Sequence, residues 1–361
     1  MTDRPNLVLV TVDSLRADHC SFMGYDRETT PTLDRMATEG LVFENAIAPG
    51  PSTPESMPAA FTGHDPVEGT SRDDGIPAAD STGGSAVVDR AGRTAVADTT
   101  DRTPVGGFAG RQARITRHME TREPIAQTLS QRGYATAGFT PNPFTSRYFG
   151  FDRGFDRFED FMGSFARRRY GRLLHRFFEG SVLASLARVG FNLWHREEAF
   201  KPWADYYEDV VAWVDSVDDP YFCWVHLMDS HVPYRPPGAF RTQSRRANYA
   251  ANYRFWRGDN ESPFDESVRD RLVTAYDDTV RYVDAFLARV RRDLDDAVVV
   301  VHGDHGEAFG EHGTYGHEAS LYEENVHVPL VVHGPETDGL DLRARTVADP
   351  VSLRCLPSLL A

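Results

Sequence analysis

The sequence predicts an α/β fold, a mainly parallel sheet sandwiched between helices. Three observations lead there. Runs of continuous apolar residues, such as Leu7 to Val12 and Ala297 to Val301, have the pattern of strands buried on both faces. Segments of helical period separate these runs along the chain. Two of the runs also end in the same way, one at Asp13 and the other at Asp304-His305. An open α/β sheet gathers its ligands at the carboxyl ends of its strands.

Taken in order, strands are expected over 6–12, 41–43, 134–138, 221–227, 297–301 and 328–332. Helices are expected over 31–39, 54–62, 123–132, 205–216 and 266–293. The helix over 54–62 has Thr53 as a cap, Pro54 at its first position and Gly63 as a stop. In the last helix Val268, Leu272, Tyr276, Val280, Val283 and Leu287 fall on one face. Residues 64–118 break the rhythm, being rich in Gly, Asp, Thr and Ala, and read as a low-complexity loop insertion. Residues 163–200 mix Arg167, Arg168, Arg169, Arg172 and Arg176 with Leu173, Phe177, Leu186 and Trp194. That mixture predicts a basic amphipathic helical cap over the domain, and its 163–195 part could also lie on a membrane surface.

The chain has 361 residues and a formal charge of -15, which argues against nucleic acid as a partner. Lys201 is the only lysine, so 38 of the 39 basic residues are arginine. An acidic, arginine-rich chain suggests a salt-adapted source. The three cysteines, Cys20, Cys223 and Cys355, are too scattered for a disulfide framework. No apolar run approaches the ~20 residues that span a bilayer. With no signal-peptide pattern after Met1, a cytoplasmic location is expected.

Asp13, Asp304 and His305 are candidate metal ligands, although an Asp after a strand also serves as a turn or cap residue. Their paired occurrence at two strand ends favours ligation. Thr53 offers a hydroxyl at a helix N-terminus, where the backbone stabilises an anion.

These residues lie in motifs that resemble the sulfatase and alkaline-phosphatase superfamily. The motifs are Asn6-Leu-Val-Leu-Val-Thr-Val-Asp13-Ser-Leu-Arg16-Ala-Asp18, the stretch from Thr53 to Thr62-Gly63, and Gly133-Tyr134-Ala-Thr-Ala-Gly138. Further on come Gly154-Phe155-Asp156-Arg-Phe158 and His226-Leu-Met-Asp-Ser-His231-Val-Pro233-Tyr234. The series closes with Gly303-Asp304-His305-Gly306-Glu307-Ala-Phe-Gly310-Glu311-His312-Gly313 and Leu321-Tyr322-Glu323-Glu324-Asn-Val-His-Val328-Pro329-Leu330. Order and spacing hold from residue 6 to about 335, apart from the insertion.

The resemblance implies a single catalytic domain over 1–361 with a C-terminal subdomain reduced or absent. It also implies one divalent ion (Mg, Mn, Ca or Zn) held by Asp13, Asp304 and His305, with the nucleophile as a further ligand. The family's nucleophile lies ten positions before the glycine of the closing Thr-Gly, which here is Thr53, while Ser52 lies eleven before. Where many relatives carry a second carboxylate after the first strand, this chain has Ser14. Threonine cannot become formylglycine, and a threonine here resembles the phosphotransferase branch, including lipoteichoic-acid-synthase-like enzymes. The family's arginine four positions after the nucleophile is Met57, its Lys-x-His segment reads Phe139-Thr140-Pro141, and its second lysine is His317.

His231 matches the family's leaving-group histidine, and His317 is a second proton donor or anion ligand. His312 is expected to brace its loop. Arg16 either faces the substrate anion or pairs with a carboxylate such as Asp18. The function expected is therefore a metal-dependent hydrolase or phosphotransferase acting on phosphate esters ahead of sulfate esters, through a covalent Thr53 intermediate. Its substrate would be a small molecule or a glycan- or lipid-linked ester. Two alternatives remain open: a formylglycine-type sulfatase using Ser52, and a catalytically silent sulfatase-like binding protein.

Overall fold

The computed structural model describes residues 4–65, 107–161, 201–218, 220–257, 264–317, 321–335 and 345–361. The part of the expected insertion over 66–106 and the expected cap over 163–200 lie outside the described residues.

The strands, in chain order, are β1 (Asn6–Val12), β2 (Leu41–Ile47), β3 (Ala135–Phe139), β4 (Arg157–Glu159), β5 (Tyr221–Leu227) and β6 (Ala297–Gly303). They continue with β7 (Ala308–Phe309), β8 (Tyr315–Gly316), β9 (His327–His333), β10 (Arg345–Val347) and β11 (Val351–Ser352). The helices are α1 (Pro31–Glu39), α2 (Thr53–Thr62), α3 (Gly107–Thr121), α4 (Ile125–Gln131), α5 (Tyr207–Val214), α6 (Arg245–Arg257), α7 (Glu266–Asp293), α8 (Glu323–Val326) and α9 (Leu356–Leu360).

The main sheet runs β10-β2-β9-β6-β1-β5-β3-β4, with β11 also on β2. Within this sheet only β9 is antiparallel to its neighbours, β2 and β6, and the other described pairings are parallel; β7 and β8 form a separate antiparallel pair. The expected α/β sandwich is the fold observed.

Every residue of β1, β5 and β6 is buried, as the continuous apolar runs require. Alternation then divides β1 between two layers. Val8, Val10 and Val12 pack with Leu33 and Met36 of α1, with α5, and with Leu272, Val280 and Val283 of α7. Leu7 and Leu9 pack with Phe61 of α2, Met119 of α3, Leu129 of α4 and Leu360 of α9. The C-terminal residues 345–361 return to this second layer and to the β2 edge.

Three differences from the sequence reading have physical reasons. Residues 107–121, mostly assigned to the loop, form α3, which buries Ile115 and Met119 despite few large apolar side chains. Helix α6 is rich in Arg, Asn and Tyr, so its thin apolar side left no periodic stripe to read. Strand β2 continues to Ile47 through an irregularity between Phe43 and Ala46, where the apolar pattern lapses.

Register places the site. Val12 of β1 pairs with Leu227 on one side and Gly303 on the other. Asp13 N then donates to Leu227 O at 2.9 Å, and Asp304 N to Val12 O at 3.1 Å. The two carboxylates therefore leave neighbouring strands at the same level.

Beneath them, fully buried Trp224 packs on Phe61, Phe151, Phe155 and Phe158, with ring centroids 4.4 to 6.4 Å away. Its Nε1 donates to Thr11 Oγ1 (3.0 Å), which lies 2.8 Å from His302 Nε2. Trp224→Ala should lower stability by about 3–5 kcal/mol. Urea unfolding followed by fluorescence and circular dichroism checks this, and an unshifted midpoint would refute it.

Candidate metal centre and active site

Asp13, Asp304 and His305 are fully buried, and Thr53, the first residue of α2, is 3% exposed. Thr53 Oγ1 donates to Asp304 Oδ2 at 2.8 Å. It lies 3.4 Å from both Asp13 Oδ2 and His305 Nε2. His305 directs Nδ1–H to Gly306 O (2.8 Å), which leaves Nε2 facing Asp13 and Asp304 at 3.7 and 3.6 Å. The four residues read as ligands from the sequence thus surround one point.

The turn after β1 is held in an unusual backbone state. Ser14 has φ 58°, in the left-handed region that L-residues enter at a cost of roughly 1–2 kcal/mol. This conformation turns Ser14 N to Asp304 Oδ1 (3.1 Å) and its hydroxyl to Asp13 Oδ1 (2.9 Å). Tyr276 OH donates to Ser14 O (2.7 Å) and accepts from Arg16 N (3.0 Å), and Ser230 OH donates to Asp13 O (2.6 Å). Ser14 thus gives this centre two hydrogen-bond donors.

Three further residues face this centre and were not read from the sequence. His226, inside β5, has Nε2 3.8 Å from both Asp13 Oδ2 and Asp304 Oδ2, and among the described residues this atom has no hydrogen-bond partner. Asn142 Nδ2 donates to Asp13 Oδ2 (2.7 Å) and to Thr53 Oγ1 (3.2 Å). Glu307, fully buried, meets His317 Nδ1 at 3.0 Å. A histidine inside an otherwise apolar strand was a legible signal for His226, and Glu307 lay in the quoted Asp304-His305 motif. Asn142 had none, because an Asn-Pro pair reads as a turn.

The donor set fits a divalent cation. Burial, and then the charge of Asp13, push the Asp304 carboxyl well above its usual range. Asp13, though burial opposes it, is held below that range by His231, His305, His226 and His317. Burial lowers His226 to about 4, and burial with the His317 charge lowers His305 to about 3. Two carboxylates and two neutral imidazoles therefore offer lone pairs to one space. Asp13, His226 and Asp304 present atoms all within 4.8 Å of one another. No arginine or lysine is hydrogen-bonded to either carboxylate among the described residues. A buried carboxylate pair left without a cation is strongly unfavourable.

His317 and His231 sit beside this centre, their rings 5.1 Å apart and His317 4.6 Å from His305. Burial would lower the His317 pKa, but Glu307, then Asp13 and Asp304, raise it to about 9. His231 Nδ1 lies 2.5 Å from Val232 O.

Other residues turn elsewhere. The Ser52 hydroxyl donates to Glu55, and Met57 is buried. Arg16 bonds Asp18, Glu311 and Glu307 O, so its guanidinium is taken up by the protein. His312 stacks on Tyr322 at 3.8 Å and bonds Glu324. Lys201 lies over the Phe161 ring, 4.2 Å from its centroid.

A sequence profile of the sulfatase family matches residues 5–340. The chain belongs to the sulfatase family. An arylsulfatase of Clostridium perfringens (strain 13 / Type A) is 45% identical over 60 residues, which is 17% of this chain and 12% of that protein. The soluble domain of lipooligosaccharide phosphoethanolamine transferase A from Neisseria meningitidis aligns with a TM-score of 0.58 and 20% identity, over 99% of this chain and 86% of that one. Phosphonate monoester hydrolase of Agrobacterium radiobacter aligns with a TM-score of 0.61 and 17% identity, over 98% and 72%. At these identities the two structures share the fold of this sulfatase-family chain, a mostly parallel sheet with flanking helices.

Two predictions follow from the geometry. In metal-free protein, His317 should titrate near 9 by NMR, and Glu307→Gln should bring it to 6.5 or below. Because its folded pKa lies above the unfolded one, its share of stability is complete below 6.5 and lost as pH rises through about 9. A wild-type His317 titrating below 6.5 would refute the pairing.

Adding a bound divalent ion at a hundredfold excess over Kd should stabilise chelated protein by about 2.7 kcal/mol. Asp13→Asn and Asp304→Asn should remove that shift in a thermal melt. A melt indifferent to Mg, Mn, Ca and Zn would count against the metal centre.

Proposed function

We propose that the chain is a metal-dependent phosphoester hydrolase or phosphotransferase that works through a covalent Thr53 intermediate. The observation that carries this reading is the Thr53 hydroxyl, 2.8 Å from Asp304 and 3.4 Å from Asp13 and His305, while the Ser52 hydroxyl is taken up by Glu55. Asp13, Asp304, His305 and Thr53 would hold the ion, with His226 facing the same carboxylates. When bound, the ion lowers the pKa of the Thr53 hydroxyl and polarises an ester oxygen. Two imidazoles beside two carboxylates favour Zn or Mn over Ca and Mg.

The protein's own groups supply the remaining steps. Thr53 Oγ1 passes its proton to the Asp304 carboxylate it is bonded to and forms its bond to phosphorus as the bond to the leaving alkoxide breaks. His317, protonated at neutral pH and anchored through Nδ1 on Glu307, gives its Nε2 proton to that alkoxide, with His231 beside it. Water or an acceptor alcohol then attacks the phosphothreonine and frees Thr53. Hydrolysis and transfer share this intermediate.

A phosphate ester is favoured over a sulfate ester for two reasons. Threonine cannot yield formylglycine, and the only lysine, Lys201, packs on Phe161 instead of on an anion. The names of the similar structures, a phosphonate monoester hydrolase and a phosphoethanolamine transferase, are in keeping with this choice.

Thr53→Ala should reduce kcat at least about a thousandfold on a phosphodiester or phosphonate substrate. Ser52→Ala should leave most of the rate. Mass spectrometry of residues 45–65 after a substrate pulse should find a phosphoryl group on Thr53. Formylglycine at Ser52, or full activity of Thr53→Ala, would overturn the proposal.

A further inference from the structure

Helix α6 carries Arg245, Arg246, Arg254 and Arg257 and no acidic residue, in a chain whose formal charge is -15. Arg245, Tyr249, Tyr253 and Arg257 recur every four positions, so they form one stripe of about 18 Å along the helix. Tyr249 is 45% and Tyr253 50% exposed. Each tyrosine lies under a guanidinium, Arg245 5.4 Å from the Tyr249 centroid and Arg257 5.8 Å from that of Tyr253. The opposite face is turned inward through Asn248, Ala251, Asn252 and Phe255.

This stripe is joined to both loops of the active site. Asn252 bonds Tyr234 at its backbone N (2.7 Å) and O (3.0 Å), three positions after His231. The next residue, Arg235, is exposed and interacts with Tyr249. Beside the helix an open cleft of about 370 Å³ is lined by Tyr253, Arg254, Arg257 and Phe264. Phe264 stacks at 4.4 Å on Tyr315, two positions before His317.

Among the described residues the ion pairing of Arg254 is one long contact with exposed Asp265, at 3.9 Å. Arg254 and Arg257 are three apart on one helix and repel each other. Guanidinium groups set in a row suit phosphate or sulfate groups, which they bind bidentately, and exposed tyrosine rings give sugar rings a flat apolar bed. A helix that docks on a membrane turns its large apolar side chains outward, whereas Phe255 and Ala251 here point inward.

We propose that the Arg245-Tyr249-Tyr253-Arg257 face and the cleft beside it bind a saccharide chain bearing phosphate or sulfate groups, holding an extended substrate while one of its esters occupies the metal centre. The link to turnover rests on the reading of that centre as one that takes anionic esters; the binding itself does not.

Calorimetry with the full chain tests it, using a sulfated heparin hexasaccharide and a phosphorylated oligomannoside as probes. Wild type should bind at least one of them, and which one identifies the anion. Arg245→Gln/Arg257→Gln and Tyr249→Ala/Tyr253→Ala should each weaken that binding about tenfold with unchanged thermal midpoints. The arginine pair should also reduce its salt dependence. Arg289→Gln/Arg291→Gln, which removes an equal charge from sites paired with Glu208 and Glu39, should bind as wild type. Thr53→Ala should keep full affinity, which separates this proposal from the assignment of the nucleophile. The proposal is overturned if wild type binds neither probe, if the stripe variants match wild type, or if they lose only binding to phosphatidylglycerol vesicles.

Discussion

Two carboxylates buried together at the ends of adjacent parallel strands are the constraint on which the rest of the structure depends. Each loses its hydration, and together they repel in a space with little water to screen them. The sheet forces this meeting, because the pairing of Val12 with Gly303 sets Asp13 and Asp304 at one level. The surroundings relieve it by supplying donors. Ser14 contributes both its backbone and its side chain, Asn142 reaches Asp13, and Thr53 reaches Asp304. The remaining deficit is one of positive charge, and His226 Nε2, without a hydrogen-bond partner among the described residues, faces the same two carboxylates.

The sheet that imposes the constraint was the most legible part of the chain. Its three fully buried strands are each dominated by apolar residues on both faces, a pattern with few other uses in an α/β fold. The 28-residue α7 was equally plain, since Val268 through Leu287 mark one face over many turns. What escaped were elements whose stability comes from contacts instead of pattern. Helix α3 buries two apolar anchors, and β10 and β11 are short edge pieces held by pairing with β2. Local sequence carries little of that information.

The site divided along similar lines. Residues whose chemistry and spacing are unusual at a strand end, Asp13, Asp304 and His305, could be read directly. Thr53 needed the count back from Gly63. Asn142 and Ser14 act through position alone, an amide brought across from the loop after β3 and a turn bent into the left-handed region. Glu307 was in view, but nothing in the sequence tied it to a histidine ten positions on.

That pair shows how an imidazole can serve as a buried cation. An imidazole alone in a buried place would be neutral. Glu307 reverses the outcome by holding Nδ1 and contributing its charge, so the ring stays protonated to about pH 9. The charge therefore depends on a second residue, and that residue is locked in place: Glu307 N donates to Glu324 O, and a Cβ on Gly306 would lie 2.0 Å from that same oxygen. The loop can approach α8 this closely only because Gly306 has no side chain. The glycine in the Asp304-His305-Gly306-Glu307 motif is thus tied to the charge state of His317, thirteen residues from the carboxylate pair's second member in sequence but in contact with its neighbour His305 in space.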